Sequence, residues 1–118
     1  MTDTPDLDLA ALRAGFAGEI LTAGDRERYD EARAVFNAMF DRRPAAIAKA
    51  TCDDDVIAAI LFARSARVPM AIRAGGHSVA GYSSSEGGLL LDLRPMKSIE
   101  VNPAGRTVRC GPGVLLIF

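Results

Sequence analysis

A strand, a helix and a second strand follow one another directly over residues 45–73, and this succession narrows the fold more than any other feature of the chain. Residues 45–49 are a short apolar run centred on Ile47, the pattern of a buried strand. Thr51 then precedes Asp53, Asp54 and Asp55, and Thr51 with Asp54 has the spacing of a capping box, in which side chains satisfy the N–H groups that a helix start leaves open. Val56, Ile57, Ile60, Leu61 and Ala63 follow at helical spacing, and Arg64 and Arg67 lie in the last turn, where positive charge suits the helix dipole. Pro69 closes the helix, and residues 70–73 make the second strand. A crossover of this length joins parallel strands, and its hand is right-handed. The fold class expected is α+β, a βαβ unit followed by short strands.

The flanking segments extend this frame. Residues 5–18 read as a short helix, with Thr4 as cap, Pro5 at its first position, and Leu9, Leu12 and Phe16 on one face. A second helix is expected over 25–40, with Tyr29, Ala32, Phe36, Met39 and Phe40 as its apolar stripe and Arg26, Glu27, Arg28, Asp30 and Glu31 as its solvated side. After the βαβ unit comes a glycine-rich loop, 75–88. Strands are expected at 89–93, 99–102 and 107–110, the last two joined as a hairpin by the Asn-Pro-Ala-Gly turn at 102–105. The final run, 114–118, is apolar and has no cap. It reads as an interrupted domain, the alternative being a last core strand. The expected division is a helical segment over 1–42 and one α+β domain, incomplete, over 43–118.

Composition limits the function classes. The chain has 118 residues, 49% apolar and 25% charged, with a net charge of -1, the profile of a globular domain with no electrostatic footprint for nucleic acid or an anionic membrane. Trp is absent and aromatics are 6%, which argues against a base-stacking platform. Cys52 and Cys110 are the only cysteines and His77 the only histidine, so this chain cannot assemble a His/Cys zinc site alone, and no metal is expected. Two distant cysteines and an acidic N-terminus without an apolar core point to a reducing, cytoplasmic setting. The longest apolar runs fall far short of the roughly 20 residues needed to span a bilayer.

The chemistry concentrates in the loop after the second strand, Arg73-Ala74-Gly75-Gly76-His77-Ser78 with Gly81 beyond. Gly75 and Gly76 permit positive φ and close approach of the backbone to a ligand. Successive N–H groups in such a turn form a concave nest for an anion. Arg73 offers a fork of donors that matches phosphate, and Ser78 adds a hydroxyl. Parallel α/β sheets bind ligands beyond the carboxyl ends of their strands, where this loop lies. The residues therefore describe a site for a phosphate-bearing ligand. Two other readings remain open here. Gly76-His77-Ser78-Val79-Ala80 is similar to the G-x-S-x-G nucleophile elbow, with Ser78 as the nucleophile of a serine hydrolase. Against it, Ala80 replaces the final glycine, and the adjacent His77 cannot serve Ser78 as general base. Residues 83–86 also suggest a turn where that fold needs a helix. In the third reading Gly75-Gly76 is a simple turn, Arg73 a surface charge, and the domain non-catalytic.

Residues 73–81 resemble the RxGGHS-x-x-G segment of the berberine-bridge-enzyme-like flavoproteins, within the vanillyl-alcohol-oxidase superfamily of PCMH-type FAD-binding domains. The resemblance runs from about residue 20 to 114. It includes Tyr29-Asp30 with Phe36-Asn37, the strand at 43–47, Asp55-Val56 with Phe62-Ala63-Arg64, and 87–93 followed by Met96. It implies that the chain is the N-terminal part of such a domain and that FAD is the cofactor. The loop 73–78 would wrap the FAD pyrophosphate through backbone N–H groups, and His77 would bond to the flavin 8α-methyl carbon. It further implies an enzyme that oxidises a small organic substrate by hydride transfer to the flavin, with dioxygen as acceptor. The family's second linking cysteine, its catalytic base and its substrate domain would lie beyond Phe118. Cys110 stands where the family usually carries a small residue, a departure to which no role attaches.

Overall fold

The computed structural model describes residues 8–34, 42–74 and 86–114. In chain order its elements are α1 (Leu9–Ala14), β1 (Glu19–Leu21), a 3-10 turn (Ala23–Asp25), α2 (Glu27–Arg33), β2 (Ala46–Lys49), α3 (Asp53–Ala66), β3 (Met70–Arg73), β4 (Leu89–Asp92), β5 (Ile99–Asn102) and β6 (Thr107–Cys110). Four strands form one sheet in the order β1-β2-β4-β3, and β5 and β6 form a separate antiparallel hairpin. β2 and β3 both run parallel to β4, which lies between them, while β1 is antiparallel to β2 at one edge. The crossover through α3 thus joins two strands separated by a third.

The strands are apolar in near-continuous runs because helices cover both faces, as in other parallel sheets. Ala46, Ala48, Leu89 and Leu91 face α1 and α3, where Leu12, Phe16, Ala59 and Ala63 complete the core. Ile47, Leu90 and Ala71 point the other way and meet Leu21, Tyr29 and Ala32 of β1 and α2. The alternation follows from the two-residue period of a strand. The side chains facing α3 on β2 are alanines, which let the helix lie close to the sheet. Tyr29 is buried and donates its hydroxyl hydrogen bond to the Pro44 carbonyl at 2.8 Å, so α2 is fixed to the chain entering β2.

Several sequence expectations are sharpened or corrected. The first helix starts later than expected: Asp8 is its N-cap and accepts from the Ala10 N–H, and Gly15 ends it. Thr4 and Pro5 lie outside the described residues. Gly18 does more than stop a helix, because a Cβ there would come within 1.9 Å of the Lys49 carbonyl oxygen; β1 begins immediately after it. This strand has no counterpart in the sequence reading. The second helix ends at Arg33 rather than running to residue 40, since Ala34 is already extended with ψ 137°; residues 35–41 lie outside the described set. At α3 the capping partner shifts by one residue. Cys52 is the N-cap without a side-chain bond, and Asp55, not Asp54, reaches back to the Thr51 N–H at 2.9 Å and to its hydroxyl at 2.7 Å. The same carboxylate also accepts from the N–H groups of Ala17 and Gly18, so it fastens the start of α3 to the entry of β1. The hairpin forms as expected, with Asn102 opposite Thr107.

Candidate flavin site

The carboxyl ends of β2, β3 and β4 point the same way, so Lys49, Arg73 and Asp92 stand in one row at that end, paired in register across β4. Glu19 of β1 extends the row opposite Lys49. The result is an alternation of charges, Glu19, Lys49, Asp92, Arg73, on the face that α2 covers, whereas the preceding residues on that face, Ile47, Leu90 and Ala71, are apolar. Lys49 Nζ lies 3.8 Å from Glu19 and is partly exposed. The Asp92–Arg73 pair is fully enclosed, with the side chains 0% and 1% accessible.

Asp92 organises this end of the sheet. Its Oδ2 accepts from Arg73 Nη2 at 2.8 Å and from Arg94 Nη2 at 2.8 Å. Its Oδ1 accepts from the Arg94 N–H and Nε, each at 3.0 Å. Arg73 Nη1 donates to the Ala34 carbonyl at 2.8 Å, the C-cap of α2, where a positive charge complements the helix end. The backbone ladder continues past the pair, since Leu93 N–H donates to the Arg73 carbonyl and Ala50 N–H to that of Asp92. Burial pushes the Asp92 carboxyl pKa up, but the hydrogen bonds and positive charge of Arg94 and Arg73 outweigh it and hold the pKa below its ordinary value. Burial lowers the Arg73 pKa, with Asp92 opposing; a guanidinium stays protonated regardless.

Arg73 therefore stands at the strand end as expected, but its terminal nitrogens serve Asp92 and Ala34. Its Nε is buried with no hydrogen-bond partner among the described residues. An orphaned buried donor asks for an acceptor, and at the root of a glycine-rich loop a phosphate-bearing cofactor fits that demand. Ala74 follows, partly buried. Gly75, Gly76, His77, Ser78 and Gly81 lie outside the described residues. A cleft of about 490 Å³ opens nearby, lined in part by Arg28, Lys49, Arg94 and Lys97 with Glu19 and Glu31. Most of these charges are paired, Lys49 with Glu19 and Arg94 with Asp92. Arg28 pairs with Glu19. Cys52 and Cys110 are free and exposed, and among the described residues no His, Cys, Asp and Glu cluster in a way that could hold a metal ion.

Sequence reasoning missed Asp92. A signal was present: it closes the run Leu89-Leu90-Leu91 in a strand apolar on both faces, and a charge in such a strand must find a partner.

Comparison with known proteins decides the family, because the FAD binding domain profile matches residues 44–117. The chain belongs to the FAD binding domain family. It is 33% identical to (R)-6-hydroxynicotine oxidase of Paenarthrobacter nicotinovorans over 83% of this chain and 21% of that protein. It is 40% identical to an uncharacterised FAD-linked oxidoreductase of Bacillus subtilis over 72% of this chain and 19% of that one. The crystal structure of 6-hydroxy-D-nicotine oxidase from Arthrobacter nicotinovorans superposes with a TM-score of 0.79 at 32% identity, covering 84% of this chain and 22% of that one. Glucooligosaccharide oxidase from Acremonium strictum, described with a 6-S-cysteinyl, 8α-N1-histidyl FAD, gives 0.79 at 30%, covering 89% and 22%. A berberine-bridge-enzyme-like protein of Physcomitrella patens gives 0.76 at 28%, covering 84% and 21%. The chain thus spans about a fifth of the length of the curated relatives it matches. The fold is that of PCMH-type FAD-binding domains, the cofactor of the family is FAD, and the family's chemistry is that of oxidoreductases. The hydrolase reading of Ser78 finds no support among these relatives.

Proposed function

We propose that this chain is the N-terminal part of an FAD-dependent oxidase that acts on a small organic molecule, with His77 as the covalent anchor of the flavin. The observation that supports the reading is β3, whose carboxyl end at Arg73 lies in a parallel sheet, where ligands bind in such folds; in sequence Ala74-Gly75-Gly76-His77-Ser78 follows directly. Backbone N–H groups of residues 75–78 would hold the pyrophosphate, and the Ser78 hydroxyl would add a donor. Gly81 would give the loop a further point of close approach. The histidyl-linked FAD of glucooligosaccharide oxidase supports the assignment of His77. FAD, when bound, would supply the hydride acceptor for substrate oxidation, with dioxygen as the final electron acceptor and hydrogen peroxide as product. This chain contributes binding and orientation to that work. The relatives include a nicotine oxidase and oligosaccharide oxidases, which supports a small polar substrate.

The test is to incubate the purified chain with FAD, precipitate it in acid and wash the pellet. Flavin colour that stays with the protein and is lost in His77→Ala is the expected result. A colourless wild-type pellet contradicts the anchor.

A further inference from the structure

Asp92 stands outside the sequence motif, yet the strand that leads into the motif is tied to it. We propose that Asp92 is a positioning residue for the flavin loop: its carboxylate fixes Arg73, the end of β3 from which the Ala74-Gly75-Gly76-His77-Ser78 sequence continues. The inference rests on the reading that this sequence binds FAD.

Three observations carry it. First, Asp92 is fully buried and grips two guanidinium groups at once, one of them bidentate. Second, the Arg73 it holds bridges onward to Ala34, so β4, β3 and the end of α2 meet through one carboxylate. Third, among the described residues charge occurs on this face of the parallel strands only at their carboxyl end, while Ile47, Leu90 and Ala71 behind it are apolar. A buried ion pair is a poor device for bulk stability, because well-packed apolar residues of similar volume do as well or better. Its directional hydrogen bonds do fix the position of a strand end. Arg73 is held at both terminal nitrogens, its Nε has no partner among the described residues, and its backbone leads directly into Ala74.

The experiment uses the 118-residue chain with two readouts. Hydrogen–deuterium exchange is followed on peptides covering residues 70–76 and, as control, on α3. FAD binding is followed by quenching of flavin fluorescence. In Asp92→Asn, exchange at 73–76 is expected to rise about tenfold while α3 keeps its protection, and FAD affinity to fall about tenfold. Because Asp92→Asn leaves a buried guanidinium unpaired and can unfold the chain, the double variant D92N/R73Q is measured beside it. The folded double variant is expected to show the same excess exchange at 73–76. Wild-type protection there overturns the proposal, as does raised exchange with unchanged FAD affinity. Titration of the wild type tests the underlying reading separately. A wild-type chain that binds no FAD, with exchange raised in the variants, contradicts the flavin reading while supporting the role of Asp92 at the strand end.

Discussion

Asp55 and Asp92 are both fully enclosed carboxylates, and they stay ionised by different means. Burial alone pushes the Asp55 carboxyl up, but the Thr51 hydroxyl and the N–H groups of Thr51, Ala17 and Gly18 together bring its pKa below the ordinary value. Asp92 is held down by guanidinium groups instead. A carboxyl whose folded pKa lies below its unfolded one contributes stability that is complete above the unfolded value and disappears as pH falls through the folded value. Thermal melts are therefore expected to show little change from pH 7 to 5 and a steep loss below about pH 4, the ordinary aspartate range. Asp55→Asn is expected to flatten that acid limb; an unchanged limb in this variant contradicts the assignment. Asp92→Asn is expected to cost about 3–5 kcal/mol in denaturant melts, because the Arg73 charge is left unpaired in the interior. Removing Arg73 as well is expected to recover part of that loss, as measured in a double-mutant cycle. The site was only partly legible in the sequence. The motif showed that Arg73 begins the loop, but its partner lies 19 residues on and meets it only through the register of parallel strands, which no local spacing encodes.

The same distinction holds for whole elements. The limits of β3, β5 and β6 agree with the local pattern, because turn residues and prolines bound them. β1 escaped notice because three residues, Glu19-Ile20-Leu21, are too few to show a period, and because its place is set by contact with β2. The close approach at Gly18 makes that contact testable. Gly18→Ala is expected to destabilise the chain by about 1–3 kcal/mol, since the new methyl group meets backbone rather than a flexible side chain. Urea unfolding checks it, and a wild-type midpoint would show that β1 can shift. Tyr29→Phe removes the hydroxyl that holds α2 to Pro44 and is expected to cost about 1 kcal/mol. The insertion of β4 between β2 and β3 was also hidden. A βαβ pattern gives the direction of its strands, not which strand pairs with which.

At the scale of the molecule, the described residues form one sheet, covered except at its β3 edge where Ile72 is half-exposed, and several uncovered apolar surfaces. Ile99, Val101 and Val108 of the hairpin are 59%, 65% and 59% exposed, and Ile57, Ile60 and Leu61 of α3 are also exposed. Register pairs Val101 with Val108 and Ile99 with Cys110, so the hairpin carries one apolar and one polar face. Two-stranded hairpins are marginal in water, and surfaces of this kind are where other protein parts dock. The isolated chain is expected to enhance the fluorescence of a hydrophobic dye, and V101T/V108T to reduce it; dye fluorescence unaffected by the double variant would place the accessible apolar surface elsewhere. The central claim, that the end of β3 presents His77 to a flavin, is tested most directly by peptide mapping. The chain is incubated with FAD, digested with trypsin and sequenced by mass spectrometry. A flavin adduct is predicted on the peptide spanning residues 74–97, at His77, since trypsin does not cut the Arg94-Pro95 bond. A protein that carries no covalent flavin, or carries it on another peptide, contradicts it.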